Sequence, residues 1–274
     1  MVARGGVRRH AAAGPASAEM TNLRRCDSSR LADEEASRAM ADQAEFDKFA
    51  DDFAYRAMRT ENISASGESP DFFDEYKIRD AALQMQANQT TPKNILDFGS
   101  GVGNSIPYFR KYFTHSELTC ADVSSRCIEL CRTRYPGDEH YAQISGDRLP
   151  FADNTFDMAF SACVFHHIDH EAHARWLAEL RRVTAIGGTL FIFEHNPWNP
   201  LTVSAIRSCP LDENAHLISA PTFSRRVADA GWDHVKVRFR IFFPRLLAKL
   251  RVLEPYLYSV PLGAQYYVSG RKAA

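Results

Sequence analysis

An excess of positive or negative charge is missing from this chain. Its 274 residues carry a formal net charge of -1, with 33 Lys and Arg against 34 Asp and Glu. A balance this close to neutral supplies no electrostatic drive toward nucleic acid or an anionic membrane surface. Long hydrophobic runs are also missing: no apolar stretch approaches the roughly 20 residues of a bilayer-spanning helix. The six cysteines (Cys26, Cys120, Cys127, Cys131, Cys163 and Cys209) show no C-x-x-C spacing. Cys127 and Cys131 lie four apart, on one face of a helix, but no His or Cys pair accompanies them. Reduced thiols are therefore expected, and with them a cytoplasmic setting. No internal repeat is visible. Residues 1–40 are poor in apolar side chains, rich in Ala, Arg and Ser, and hold no acid before Glu19. They lack the apolar core of a signal peptide, so a disordered tail is expected there, with an Arg-rich transit peptide as the alternative.

The length suits one globular α/β domain with extensions. A helical pattern opens it: Phe46, Phe49, Ala50 and Phe53 recur at i, i+3, i+4 and i+7. Ser69-Pro70 reads as an N-cap followed by proline at the first helical position. The helix that follows, to about Ala87, carries Phe72, Phe73, Tyr76 and Leu83. Thr91-Pro92-Lys93 ends it.

The stretch from Asn94 to Asn104 (Asn-Ile-Leu-Asp-Phe-Gly-Ser-Gly-Val-Gly-Asn) reads as a buried strand, a glycine-rich turn and a helix start. Glycine permits positive φ and lets a ligand approach bare backbone. A phosphate-binding loop would need Lys followed by Ser or Thr after the last glycine, and Asn104-Ser105 has no such lysine. A nicotinamide-binding fingerprint would read G-x-G-x-x-G; here the third glycine comes one residue early. From Ile95 to Gly103 the chain instead resembles the first motif of class I S-adenosylmethionine (SAM)-dependent methyltransferases. That motif runs hydrophobic-hydrophobic-Asp-hydrophobic-Gly-x-Gly-x-Gly and is matched here at every position.

Further segments carry the resemblance to about Phe193. The predicted second strand ends in Asp122, where a carboxylate can accept both hydroxyls of a ribose diol. The resemblance implies that Asp122 binds the SAM ribose; capping the next helix is the alternative. Before Leu149-Pro150-Phe151 the family's acid position holds Ser145, with Asp147 two residues later. Adenine is then read by Asp147 or by backbone from Gly146 to Arg148. Asp157, at the start of the fourth strand, is expected to be structural. Phe165-His166-His167-Ile168 is similar to a hydrophobic-His-His-hydrophobic segment of the ubiquinone and menaquinone biosynthesis methyltransferases. Gly187-Gly188 makes a turn into a fifth strand from Thr189 to Glu194, and the proline-bearing loop His195 to Pro200 stands at its tip.

The resemblance implies an α/β, Rossmann-like class I methyltransferase fold. Its sheet is seven-stranded and mostly parallel with an antiparallel last strand, helices cover both faces, and an N-terminal helical lid spans residues 41–90. Tyr55, Phe73 and Tyr76 are candidate lid contacts. The core covers 91–274, with substrate-covering insertions after residue 195. SAM is the implied cofactor, held by Asp97, Gly99, Ser100, Gly101, Gly103, Asn104, Asp122, Val123, Gly146, Asp147, Arg148, Ser161 and Ala162. Histidine is the natural proton acceptor near neutral pH. His167 is the first choice for a base or substrate contact and His166 and His195 follow; lining the pocket or capping a helix is the alternative. Glu194 and Asn196 could orient substrate. Imidazole binds zinc readily, but nothing in the sequence defines a ligand set, and no metal is expected. Cys209 to His216 reads as a connector over the pocket. Pro244 to Leu253 reads as an amphipathic helix that docks on its own core or on a second subunit, which leaves a homodimer open. The expected function is methyl transfer from SAM to a small molecule, with oxygen favoured as acceptor. Its rivals are a non-catalytic SAM-binding scaffold and a nicotinamide-dependent oxidoreductase.

Overall fold

The computed structural model describes Asp47 and residues 52–273. The expected tail, Cys26, Phe46, Phe49 and Ala50, and the side chains of Phe53 and Tyr55, lie outside the described residues. Seven strands form one sheet: β1 (Asn94–Phe98), β2 (Glu117–Asp122), β3 (His140–Gln143), β4 (Phe156–Ala162), β5 (Thr184–His195), β6 (Asp233–Arg240) and β7 (Gln265–Arg271). Their order is β3-β2-β1-β4-β5-β7-β6. The first five run parallel, and β7 is antiparallel to both neighbours. This is the expected Rossmann-like sheet.

The strands are apolar on both faces, and alternate residues feed two cores. Leu96, Phe98, Leu190 and Ile192 point to one side, where α5 (His173–Val183) and α7 (Ala220–Asp229) cover them. Ile95, Phe160, Phe191 and Phe193 point to the other. There they meet α2 (Pro70–Ala87), α3 (Ile106–Tyr112) and Cys131 of α4 (Ser125–Arg134). The chain winds outward from β1 in one direction through β2 and β3, and in the other through β4 and β5. The strand order therefore reverses between β1 and β4, where open α/β sheets hold their ligands at the C-terminal tips. Asp157 sits at the opposite end, as expected. Its carboxylate accepts from the N–H groups of Lys93 and Asn94 at 2.7 and 3.0 Å and ties the start of β1 to β4.

Two elements differ from the sequence reading. Strand β5 begins at Thr184 and takes Gly187-Gly188 into itself, with a register irregularity against β4. Gly188 sits where a Cβ would collide with the carbonyls of Ala185 and Asp157, so close backbone approach, rather than a turn, requires glycine there. The segment Arg245–Leu253 is a run of 3-10 turns broken at Leu247. None of its residues is buried, and Leu246 is 94% exposed. Arg251 ties the segment down, pairing with Glu68 at 2.6 Å and donating to Phe243 O, while the leucines face outward.

α2 is anchored through Tyr76, Ile78, Ala81 and Met85. Tyr76 is thus core rather than lid; its ring packs edge-on against Phe193, 5.9 Å between centroids. Buried Asp80 of α2 pairs with buried Arg240 of β6. Arg240→Ala would leave Asp80 uncompensated and cost about 3–5 kcal/mol of stability. Denaturant unfolding checks this, and adding Asp80→Asn should recover part of the loss.

Candidate active site

The glycine turn is laid directly on β2: the N–H groups of Gly99 and Ser100 both donate to Ala121 O, at 2.8 and 3.1 Å. Gly99, Gly101 and Gly103 all take positive φ (73, 53 and 77°), but for different reasons. A Cβ on Gly99 would run into Val164, and one on Gly103 into Cys131 and Ile106. A Cβ on Gly101 would meet nothing within 4 Å. The outer glycines allow packing, whereas the middle one presents bare backbone to open space.

That space is a cavity of about 1000 Å³. Gly101 N donates to Asp122 Oδ2 at 2.8 Å, so the turn and the tip of β2 share one wall. Asp122 Oδ1 accepts from Ser124 N at 2.9 Å. The helix cap belongs to Ser124, whose hydroxyl accepts from Cys127 N at 3.0 Å. The N–H of Val123 also bonds to the Asp122 carboxylate, and the remaining acceptor capacity is open to a ligand. Burial pushes its pKa up. Asp97 and Asn104 line the same region. Burial drives the Asp97 carboxyl up to about 7, against the opposing hydrogen bond from Ser105.

The other strand tips complete the wall. Ser100 continues the turn, Val123 follows Asp122, and Gly146 and Asp147 follow β3. Ala162 ends β4 with Cys163 just beyond it, and His195 ends β5. Gly146, like Gly101, has nothing within 4 Å of its Cβ position. Asp147 lies 3.7 Å from Arg175. Three expected cofactor residues stand outside the lining: Gly103 packs under α4, Arg148 points to solvent, and Ser161 is enclosed in β4 with its hydroxyl unpartnered. Phe73 and Lys77 of α2, with Arg59 of α1 (Asp52–Asn62), close the opposite side. Lys77 is almost buried and faces Asp97 and Cys163 electrostatically.

The histidines gather where the tips of β4 and β5 meet. His166 is buried in the turn Phe165–His167. Its Nδ1 lies 2.6 Å from Glu194 Oε2. Its Nε2 lies 3.3 Å from Asp212 Oδ1. Burial disfavours the imidazolium, yet the two carboxylates push His166 up to about 10. His167 is lowered to about 3, by burial and then by the His166 charge. Its imidazole is neutral at pH 7 and a weak base. His195 belongs to a directional chain. Tyr76 donates its hydroxyl proton to Gln265 Oε1, so Gln265 Nε2 is the donor to His195 Nδ1, at 3.2 Å.

Asn196, expected to orient substrate, is instead a loop brace. It donates to the carbonyls of Pro261 and Gly263 and accepts from Trp198 N. Asp212 was not foreseen, and neither were Lys77 and Gln265. The connector carrying Asp212 has no periodicity to read. It is pinned over the cavity by His216 N donating to His166 O at 2.7 Å. Buried charge on α2 was the available signal for Lys77, since lysine is rarely enclosed without a counter-charge.

Residues 96–192 match a family model described as a methyltransferase domain. This stretch of the chain is similar to that family. Demethylmenaquinone methyltransferase of Thermotoga maritima is 33% identical over 127 residues, covering 46% of this chain and 52% of that protein. The ubiquinone/menaquinone biosynthesis C-methyltransferase UbiE of Cupriavidus metallidurans is 29% identical over 121 residues, 42% of this chain and 49% of that protein. The chain spans about half the length of these curated relatives. A crystal structure of a SAM-dependent methyltransferase from Thermotoga maritima superposes with a TM-score of 0.57 at 18% identity, over 84% of this chain and 99% of that one, and shares the fold. Within the matched residues lie the glycine turn, Asp122 and the His166-His167 pair. Lys77, Asp212 and Gln265 lie outside the matched residues.

Proposed function

We propose that this chain transfers a methyl group from SAM to a small-molecule acceptor. The observation that carries the reading is the 2.8 Å bond from Gly101 N to Asp122, which joins a bare glycine backbone and a strand-tip carboxylate on one cavity wall. SAM would lie with its ribose diol on Asp122, its adenine beside Gly146 and Asp147, and its methionine end over Gly101, between Asp97 and Lys77. Asp97 suits the ammonium and Lys77 the carboxylate of that zwitterion. The methyl group would then face the histidines. Displacement at a sulfonium needs chiefly an aligned nucleophile, and the cavity walls supply that alignment. His195, which lines the same cavity, would hold an acceptor oxygen.

Oxygen is the proposed acceptor atom. Carbon is a second reading, favoured by the names of the relatives, which include a C-methyltransferase. Calorimetry should show SAM binding and no binding of NAD. Labelled SAM incubated with a metabolite extract should pass its methyl to a small molecule, and fragmentation of the product separates an ether from a new carbon–carbon bond. SAM binding without transfer would reduce the protein to a binding scaffold.

The ammonium needs an ionised Asp97, whose carboxyl stands at about 7. SAM affinity should rise with pH through 7 and level off above it. Below 7 the loss approaches tenfold per pH unit, since proton and ligand compete for one carboxylate. Asp97→Asn should bind weakly with a flat profile. A flat profile in the unaltered protein would reject the Asp97 contact.

A further inference from the structure

We propose that His166, His167 and Asp212 form a divalent-metal site on the cavity wall, with Glu194 supporting it from behind and an open coordination position toward the acceptor. The Nε2 atoms of the two histidines lie 3.3 and 3.5 Å from the same oxygen, Asp212 Oδ1. All three ligand atoms fall within 4.8 Å of one another. As hydrogen bonds these separations are long, since charge-assisted N–H···O bonds close to about 2.7–2.9 Å. The same His166 ring shows what such a bond looks like, with Nδ1 at 2.6 Å from Glu194. As edges of a coordination tetrahedron they fit: metal–ligand bonds of about 2.0–2.1 Å place neighbouring ligand atoms about 3.3–3.4 Å apart.

The supporting groups are those a metal site requires. A ligating histidine is ordinarily oriented by a carboxylate on its other ring nitrogen, and Glu194 Oε2 holds that place. Its Oε1 is fixed in turn by the N–H groups of Val164 and Phe165, at 3.2 and 2.8 Å. Both ligand-bearing segments are short 3-10 turns, Phe165–His167 and Pro210–Asp212. The His216–His166 backbone bond holds the two together. A metal would take the place of the proton on His166 Nε2, and the resulting set of two imidazoles and one carboxylate suits zinc, iron(II) or cobalt(II). Three protein ligands leave a fourth position free, the arrangement of catalytic rather than structural sites. His166, His167 and Asp212 all line the cavity, so that position faces the space assigned to the acceptor. The acceptor class is then a small molecule with an ionisable hydroxyl, such as a phenol or an enol, whose oxygen the metal binds. This last step rests on the methyltransferase reading; the metal site itself does not.

The full chain, stripped with chelator and dialysed, is titrated with Co²⁺ by visible absorption and with Zn²⁺ by calorimetry. One Co²⁺ per chain, displaced by Zn²⁺, is expected. Asp212→Ala and His167→Ala should each weaken Co²⁺ binding by roughly 100-fold or more, and Glu194→Gln by about 10–100-fold. Thermal melting of each variant confirms that it is folded, and having two ligand variants keeps the test intact if one is not. No Co²⁺ binding in the unaltered protein, or unchanged binding in a folded Asp212→Ala or His167→Ala, overturns the site. SAM calorimetry on the same samples separates the two claims: metal binding without SAM binding leaves the site standing and removes the methyl-transfer reading.

Discussion

Gly101→Val should abolish SAM binding while leaving a folded protein. The space beside Gly101 is empty of protein, with nothing within 4 Å of its Cβ position. A valine there collides with the ligand and not with the fold. The residue has φ of 53°, so any L-residue adds about 1–2 kcal/mol of left-handed strain, which lowers the melting temperature without unfolding the chain. The methionine end of SAM would need the volume that the branched side chain takes, and affinity should fall by at least roughly 100-fold, or about 2.8 kcal/mol. Gly99→Val provides the contrast, since its side chain would strike Val164 inside the protein and the main loss would be stability. Calorimetry and thermal melting on both variants separate the two effects. Unchanged SAM affinity in Gly101→Val would place the ligand elsewhere.

Asp122→Ala should weaken SAM by about 1.5–3 kcal/mol, the usual scale for hydrogen bonds to a charged group. It should also destabilise the protein before any ligand is added. The carboxylate satisfies the N–H groups of Gly101 and Ser124, and each buried donor left without a partner costs about 1–3 kcal/mol. Asp122→Asn keeps an acceptor oxygen and should lie between alanine and the unaltered protein in both measurements. A variant that loses stability but keeps full SAM affinity would make Asp122 a brace for the glycine turn and nothing more.

The parts of the fold legible in the sequence were those written in local patterns. Apart from β5, which starts five residues before the strand read from the sequence, apolar runs located the strands within a residue or two, because a strand covered on both faces has few other ways to hide Ile95, Leu96 and Phe98. Where side chains had two ways to pack, the pattern misled. The Arg245–Leu253 segment has leucines at helical spacing, yet Arg251 found Glu68 and Phe243 O, and the leucines stayed outside. Asn196 was read as a substrate contact because it stands at a strand tip; carbonyls of Pro261 and Gly263, far along the chain, took its amide instead.

By itself the sequence determined the order of elements and the turn of bare glycines, because backbone freedom and burial period act over a few residues. It could not separate the three glycines, two of which serve packing against Val164 and Cys131 and one of which faces open space. Nor could it bring Asp212 onto His166 and His167, or Lys77 toward Asp97. Those meetings were decided only by the tertiary structure, since charges distant in the chain acquire neighbours, and altered proton affinities, once the sheet and its covering segments have closed around them.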